Sequence, residues 1–249
     1  MRREDIRGLR LGTELRTTHA KVVEEIGLSI VGGKYPVGAV LPGDQALESQ
    51  FDVSRSVLRE AMKTLTAKGL IVAKSRVGTR VREQCHWNLL DEDVLRWHFN
   101  VGVTPDFVEQ LYDVRLLLEP AAAAAAAMRA TPEDCDELRG YALQLGSEAI
   151  SLQERVEADL RFHILLTLLS GNIFYDGMLG FIKSALEGAL KISLSPDLAA
   201  RRHNIVEAHL AIVEAVERRD PEAARATTQA VVEGGRSTAL AGILAIAKG

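Results

Sequence analysis

The sequence predicts a mainly α-helical protein in two parts, an N-terminal unit of three helices and a β-hairpin, followed by an all-helical bundle. Aromatic residues make up only 5% of the chain while Ala and Leu are abundant, which favours helix over strand. Apolar residues recur at helical spacing through most of the chain, and only residues 70–83 resemble a pair of strands. With 249 residues, 47% hydrophobic and 26% charged, the chain fits one large or two small globular domains.

The composition also excludes several classes of protein. No apolar run reaches the ~18–20 residues that a membrane span needs, and charged residues replace the apolar core of a signal peptide. Cys85 and Cys135 are too few for a disulfide framework, so we expect a cytoplasmic protein with no membrane partner. Neither GxGxxG nor GxxxxGK[ST] occurs, so no phosphate-binding loop is predicted.

Charge is distributed unevenly along the chain. Residues 1–85 carry 15 Lys and Arg against 10 Asp and Glu, whereas residues 86–249 carry 15 against 24. A basic N-terminal part followed by an acidic C-terminal part indicates a polyanion-binding domain joined to a second, different domain. Charge alone does not separate this interpretation from chance unevenness.

The N-terminal elements follow one another in the order of a winged helix-turn-helix. Helical spacing covers residues 17–31, 44–51 and 54–68, with a tight break at Asp52-Val53 between the second and third helices. The hairpin over 70–83 would be the wing, and Gly78 lies where its reversal needs a positive φ. The start of the third helix, the recognition helix, and the wing are the places where such a fold meets DNA.

The rest of the chain predicts a packed connector and about six helices. Trp87 and Trp97 would be exposed to solvent in a flexible linker, so we expect the connector to be packed. The bundle helices are predicted near residues 106–129, 132–148, 151–170, 173–192, 197–218 and 221–246. We therefore divide the chain into an N-terminal extension (1–16), a winged helix-turn-helix domain (17–85), the connector (86–105) and a helical effector-binding and dimerisation domain (106–249).

The segment LPGDQALESQFDVSRSVLREAMKTLTAKGLI, followed by GTRV, strongly resembles the DNA-binding domain of GntR-type bacterial transcriptional regulators. The resemblance covers about residues 15–83 and implies binding to double-stranded operator DNA. That family usually has Arg where this chain has Gln45, which could alter operator preference. The DNA contacts that the resemblance implies fall on Gln45, Ser54, Arg55, Ser56, Arg59, Ser75, Arg76 and Gly78.

The second part resembles the all-helical FCD effector domain of the FadR subgroup. The strings DVRLLLEPAAAAAAA, EADLRFHILLTLLSGN and EAHLAIVEAVERRDPEAARA carry this resemblance, which covers about residues 106–240. It implies an effector-binding fold mainly built of helices, joined to the winged helix-turn-helix.

Asp159 and His163 are four residues apart and share one helix face, a spacing that suits two metal ligands but on its own favours a structural hydrogen bond or a surface pair. The FCD resemblance implies a divalent, zinc-like metal held by Asp159, His163 and His209. The fourth ligand position of that family falls on Val231, which has no donor atom. The same three residues could instead bind the effector directly.

Arg115 and Arg161 are the predicted partners of an effector carboxylate, because a guanidinium in an apolar helix must find an anion or reach solvent. A helix-end salt bridge is the alternative for each. The effector-binding set is therefore Arg115, Asp159, Arg161, His163 and His209. The connector WNLLDEDVLRWHF resembles that of galactonate-responsive repressors, which implies a sugar-acid effector such as galactonate.

Together these observations predict a homodimeric transcriptional repressor, not an enzyme, whose operator binding is released by a small carboxylate effector. Three alternatives remain open at this point. The protein could be a metal-dependent enzyme acting on a sugar acid, the same regulator fold responding to another small hydroxy or dicarboxylic acid, or a ligand-free architectural DNA binder.

Overall fold

The computed structural model describes residues 17–192 and 198–246, so the predicted N-terminal extension, 1–16, lies outside the described residues. The chain forms two compact units that divide after Gly102. The predicted fold class, mainly α with a winged helix-turn-helix and an all-helical second part, is confirmed. The helices are α1 (Thr18–Val31), α2 (Asp44–Phe51), α3 (Arg55–Ala67), α4 (Glu92–Val101), α5 (Pro105–Ala127), α6 (Pro132–Gly146), α7 (Leu152–Leu169), α8 (Ile173–Asp176), α9 (Leu179–Ile192), α10 (Leu198–Glu217) and α11 (Pro221–Ile246).

The helix-turn-helix consists of α2 and α3 packed on α1. Asp52 ends α2 in the left-handed conformation, with φ 51°, which allows the chain to reverse within three residues. Ser54 then caps α3 by accepting the backbone N–H of Val57. Leu47 of α2 and Leu58 of α3 are buried in one apolar core with Ile26 of α1, so burial of these side chains sets the angle of the recognition helix.

The wing is a two-stranded antiparallel hairpin of β1 (Ile71–Lys74) and β2 (Gly78–Val81). Ile71 pairs with Val81 at its base and Lys74 pairs with Gly78 at its tip. Gly78 has φ 99°, the positive value that the reversal requires, and Arg76 at the tip has φ 61°. On its other edge, β2 pairs with the segment before α2 through the bridge between Val40 and Arg80.

The predicted connector contains a helix, α4, that the sequence did not reveal. This helix packs on α1 within the N-terminal unit, and its Trp97 is fully buried there. Lys68, at the end of the recognition helix, places its Nζ 2.7 Å from Asp91 and 2.9 Å from Asp93. The same Asp91 side chain caps the first turn of α4. These contacts tie α4 to the recognition helix.

Gly27 is the point of closest approach between α1 and α4. A Cβ at this position would lie 2.4 Å from Cζ3 of the Trp97 ring, well inside van der Waals contact. We expect Gly27→Ala to lower the free energy of unfolding by about 1–3 kcal/mol, because a fully buried ring has no room to move away. Chemical denaturation of the purified protein measures this loss.

The matched control is Gly140→Ala in α6, where the added Cβ meets nothing within 4 Å. There the better helix propensity of Ala should raise the stability by about 0.5–1 kcal/mol. Equal effects of the two substitutions would contradict the packing described for α1 and α4.

In the C-terminal unit, α5 packs along α11 and also contacts α7, while α10 packs against α6 and α11. The single helix predicted over 173–192 is wrong in one detail, because α8 and α9 are separated by a turn at Gly177-Met178. Met178 there bonds to the carbonyl of Tyr175, three residues back, and the low helix propensity of glycine favours such a break. Among the described helices, none combines the length and hydropathy needed to cross a membrane.

Candidate functional site

The start of the recognition helix presents the predicted DNA-reading residues to solvent. Ser54, Arg55, Ser56 and Arg59 are all exposed within the cap and the first two turns of α3. The Arg59 side chain is 73% exposed, and its only ion-pair contact among the described residues is 4.0 Å away on Glu60. Exposed guanidinium groups at the N-terminal end of this helix suit bidentate contacts with guanine or phosphate.

The two flanking regions of the predicted interface are exposed as well. Gln45 lies in the first turn of α2, and Ser75, Arg76 and Gly78 lie at the tip of the wing. All these positions belong to the N-terminal unit. The second helix, the recognition helix and the wing therefore each offer polar groups that are not used to hold the unit together.

The second candidate site is a cluster inside the helical bundle. Asp159 and His163 come from α7 and His209 from α10, and one ligand atom of each lies within 4.8 Å of the other two. Nε2 of His209 is 3.2 Å and Nε2 of His163 is 3.9 Å from the same oxygen of Asp159. The structure thus brings together the three residues predicted as metal ligands. Both imidazoles are buried, whereas the Asp159 side chain is 14% exposed.

The contacts of the His209 ring determine which of its two nitrogens faces Asp159. Nδ1 of His209 donates a hydrogen bond of 2.8 Å to the backbone carbonyl of Ile205, which places the ring proton on Nδ1 and leaves Nε2 with a lone pair. Among the described residues, Nε2 of His209 has no hydrogen-bond partner of good geometry, although Asp159 is close. A buried imidazole lone pair that faces a carboxylate oxygen without a hydrogen bond is costly, and a cation between Nε2 and Asp159 would satisfy both.

Sequence reasoning missed Glu119, which lies beside the cluster on α5. Its Oε2 is 2.7 Å from Nδ1 of His163, and its Oε1 accepts a hydrogen bond of 2.6 Å from Nε of Arg115. The His163 contact is short but bent, so it is an ion-pair contact rather than a linear hydrogen bond. The i, i+4 spacing of Arg115 and Glu119 was the available signal for their pairing.

Charge interactions outweigh burial in setting the pKa values of Glu119, His163 and Asp159. Burial raises the pKa of Glu119, but Arg115 and His163 lower it to about 2. Burial lowers the pKa of His163, but the carboxylates of Glu119 and Asp159 together raise it above its ordinary value. The pKa of Asp159 is lowered because His209 and His163 more than offset its desolvation. Glu119 and Asp159 are therefore ionised at neutral pH, as cation ligands and their supports must be.

The two predicted effector arginines already have carboxylate partners within the chain. Arg115 is 3% exposed and pairs with Glu119, and Arg161 pairs at 3.2 Å with Glu157 of its own helix. Arg115 therefore does not need an external anion to balance its buried charge. The helix salt bridge, which the sequence left open as the alternative, is present for both residues.

Helix α11, to which the resemblance assigns the fourth ligand, contains no histidine over Pro221–Ile246. Val231 stands at the position of the fourth family ligand, and the nearby Gln229 donates to Glu233 on the exposed surface. Thr228 is fully buried on the same helix, and its hydroxyl has no hydrogen-bond partner among the described residues.

Two imidazole nitrogens and one carboxylate oxygen are a donor set that zinc and similar divalent ions accept. Such ions commonly take four or more ligands, so a metal held by Asp159, His163 and His209 would keep at least one position for water or an effector. The residues present therefore fit a divalent ion with an open coordination position.

A winged helix-turn-helix with exposed arginines, on one chain with a helical bundle that buries a ligand-type cluster, defines a DNA-binding transcriptional regulator. The chain belongs to the GntR family. The profile described as bacterial regulatory proteins, gntR family, matches residues 18–81, and the FCD domain profile matches residues 110–234.

Proteins of similar sequence are also named as transcriptional regulators. The chain is 31% identical over 213 residues to the uncharacterized HTH-type transcriptional regulator YieP of Escherichia coli (strain K12), covering 85% of this chain and 90% of the relative. It is 31% identical to the galactonate operon transcriptional repressor of the same organism, covering 82% and 89%. A third relative in that organism is named for the L-lactate dehydrogenase operon, with 29% identity covering 76% and 73%.

Solved structures share the fold. The Listeria monocytogenes protein Lar, which is described as controlling the expression of the agr system, superposes with a TM-score of 0.62 at 21% identity, covering 91% of this chain and 98% of that one. A GntR regulator from Rhodococcus sp. RHA1 gives 0.51 at 19% identity, covering 90% and 97%. The relatives and fold neighbours are transcriptional regulators and not enzymes, in agreement with the sequence prediction.

Proposed function

We propose that this regulator is a repressor whose operator binding is released by a small hydroxy acid, in the first place a sugar acid such as galactonate. The effector would bind at a divalent metal held by Asp159, His163 and His209. The single observation that carries the proposal is the convergence of these three side chains inside the bundle, with Nε2 of His209 buried and lacking a hydrogen bond.

The open position of the proposed metal selects the chemistry of the effector. A carboxylate with a neighbouring hydroxyl can offer two oxygen atoms to one cation, whereas a simple hydrophobic ligand offers none. Solvent reaches the cluster at Asp159, whose side chain is the most exposed of the three. This route does not require Arg115 to contact the effector, and Arg161, 19% exposed, is the better placed of the two arginines to do so.

Two relatives suggest which hydroxy acids to test. One is named as a galactonate operon repressor, and another is named for the L-lactate dehydrogenase operon. Galactonate and L-lactate are both 2-hydroxy acids, so the same cation site accommodates either chemistry. Galactonate is the first choice because the connector resembles that of galactonate-responsive repressors, and L-lactate is the second candidate.

We further propose that the protein acts as a homodimer. One recognition helix reads only a few base pairs, and helix-turn-helix regulators reach specific affinity by binding two half-sites about one helical turn apart. Sedimentation equilibrium of the full chain should give a mass close to twice 27.1 kDa. A mass of one chain at micromolar concentration would contradict the dimer.

Galactonate should release DNA from the metal-loaded protein. With an operator selected from random-sequence DNA and followed by fluorescence anisotropy, we expect saturating galactonate to raise the Kd for DNA about 5- to 150-fold. This range corresponds to ordinary coupling free energies between two sites. L-lactate and succinate, the second lacking a hydroxyl, are compared at the same concentrations.

His209→Asn is the control for the site of action. This variant keeps the winged helix-turn-helix intact and should bind the same operator, but it should no longer respond to galactonate. Release of the variant by galactonate at the parent's concentration would place the effector elsewhere. An unchanged Kd with all three acids would reject the effector class and favour a ligand-free DNA binder.

A further inference from the structure

Arg115 and Glu119 of α5 form a series of buried contacts, called the arm below, that begins at Tyr112 and ends at the proposed metal site. The guanidinium carbon of Arg115 lies 4.7 Å from the centre of the Tyr112 ring, which stacks on it. Nε of Arg115 donates to Oε1 of Glu119 at 2.6 Å, and Nη2 donates to Oε2 at 3.4 Å. The exposed fractions of Arg115 and Glu119 are 3% and 2%. These two hydrogen bonds hold the Glu119 carboxylate in one orientation.

The other end of the arm is the ligand imidazole. Oε2 of Glu119 lies 2.7 Å from Nδ1 of His163, whereas Nε2 of the same ring is 3.9 Å from Asp159. The ring is therefore held more closely from the side away from the cluster than from the cluster itself. An anion at Nδ1 keeps a proton on that nitrogen and leaves Nε2 to bind a metal.

We propose that Glu119 is a positioning residue for the metal ligand His163, and that Arg115 acts on the site by holding Glu119 and not by binding the effector. This inference rests on the proposed metal site. It assigns Arg115 a role different from the effector contact expected from sequence, and the two roles differ in what a substitution changes. Loss of an effector contact alters the response to effector alone, whereas loss of the positioning arm weakens metal binding without any effector.

The test measures the affinity of the full-length, metal-free protein for Zn²⁺ by competition with a chromophoric chelator. Glu119→Gln keeps the shape of the side chain but removes the anion, and we expect it to weaken Zn²⁺ binding 10- to 100-fold, as outer-shell substitutions do at other histidine sites. The visible absorption spectrum of the Co²⁺-loaded variant should also differ from that of the parent, because the ligand ring is no longer held in one orientation.

Glu157→Gln is the matched control. Glu157 is also a largely buried carboxylate paired with an arginine four residues away, and it lies two residues from Asp159. We expect this variant to bind Zn²⁺ within about 2-fold of the parent. Because Glu119→Gln leaves the Arg115 charge buried, a second variant combines it with Arg115→Met, which removes both charges together. The double variant should lose the same factor in Zn²⁺ affinity.

The outcomes separate this inference from the proposed function. If the parent binds Zn²⁺ and both Glu119 variants bind it equally well, the positioning role is overturned and the metal site stands. If Glu157→Gln weakens binding as much as Glu119→Gln does, the effect is a general loss of packing and the inference also fails. A parent protein that takes up no metal overturns the inference together with the proposed site.

Discussion

Arg55→Ala should weaken operator binding by a factor of about 30 to 20,000 without altering the fold. Arg55 is the first residue of the recognition helix and is exposed, so its removal disturbs no core contact. A lost base-edge contact costs about 1–3 kcal/mol, and a dimer loses it at both half-sites. Titration of the selected operator at fixed salt measures the change.

A second measurement separates base reading from charge. Arg218→Ala removes an arginine that is 62% exposed in the turn after α10, outside the N-terminal unit, and should leave operator affinity unchanged. Binding of the parent should fall steeply with salt, because each neutralised phosphate releases counterions. Full operator affinity of Arg55→Ala and of Arg59→Ala would mean that α3 does not read the bases.

His209→Asn should abolish high-affinity metal binding. Structural zinc sites with four ligands contribute about 10–16 kcal/mol, so one ligand's share is about 3 kcal/mol or more, equivalent to at least ~100-fold in affinity. Zn²⁺ should raise the Tm of the parent, because a ligand that binds only the native state stabilises it by mass action, and a chelator should reverse the shift. The variant should show neither change.

His86→Asn is the control for this substitution, since His86 is an exposed histidine of the N-terminal unit. It should keep the parent's metal content in elemental analysis and the parent's Tm shift. Less than about 0.1 equivalent of metal in the parent, purified without chelator and then exposed to Zn²⁺, would show that the cluster is not a metal site.

The helical pattern and the glycine positions were sufficient to predict most of the fold. Gly78 was predicted at the reversal of the wing because a positive φ was needed, and it has φ 99°. The break at Gly177-Met178 was missed because the apolar spacing continues across it. The connector helix α4 was missed because its stability comes from the burial of Trp97 on α1, a contact between residues far apart in sequence.

The candidate metal ligands were predicted in part by spacing and in part by resemblance. The i, i+4 rule places Asp159 and His163 on one face, but nothing local indicates that His209 meets them from another helix. The state of the arginines could not be predicted either. Whether Arg115 binds an external anion or Glu119 depends on which side chains tertiary packing brings to it, and the structure shows Glu119.

The attachment of α4 to the recognition helix through Lys68 has a practical consequence for building chimeric sensors. A fusion cut at the end of the wing would remove α4, expose the surface that Trp97 covers and leave the Lys68 ammonium without its carboxylates. The DNA-binding unit to transplant therefore extends through Gly102. This glycine has a φ of 104°, a conformation that is unfavourable for a residue with a Cβ. A foreign bundle grafted after that glycine would receive an intact module, and the glycine itself belongs in the graft.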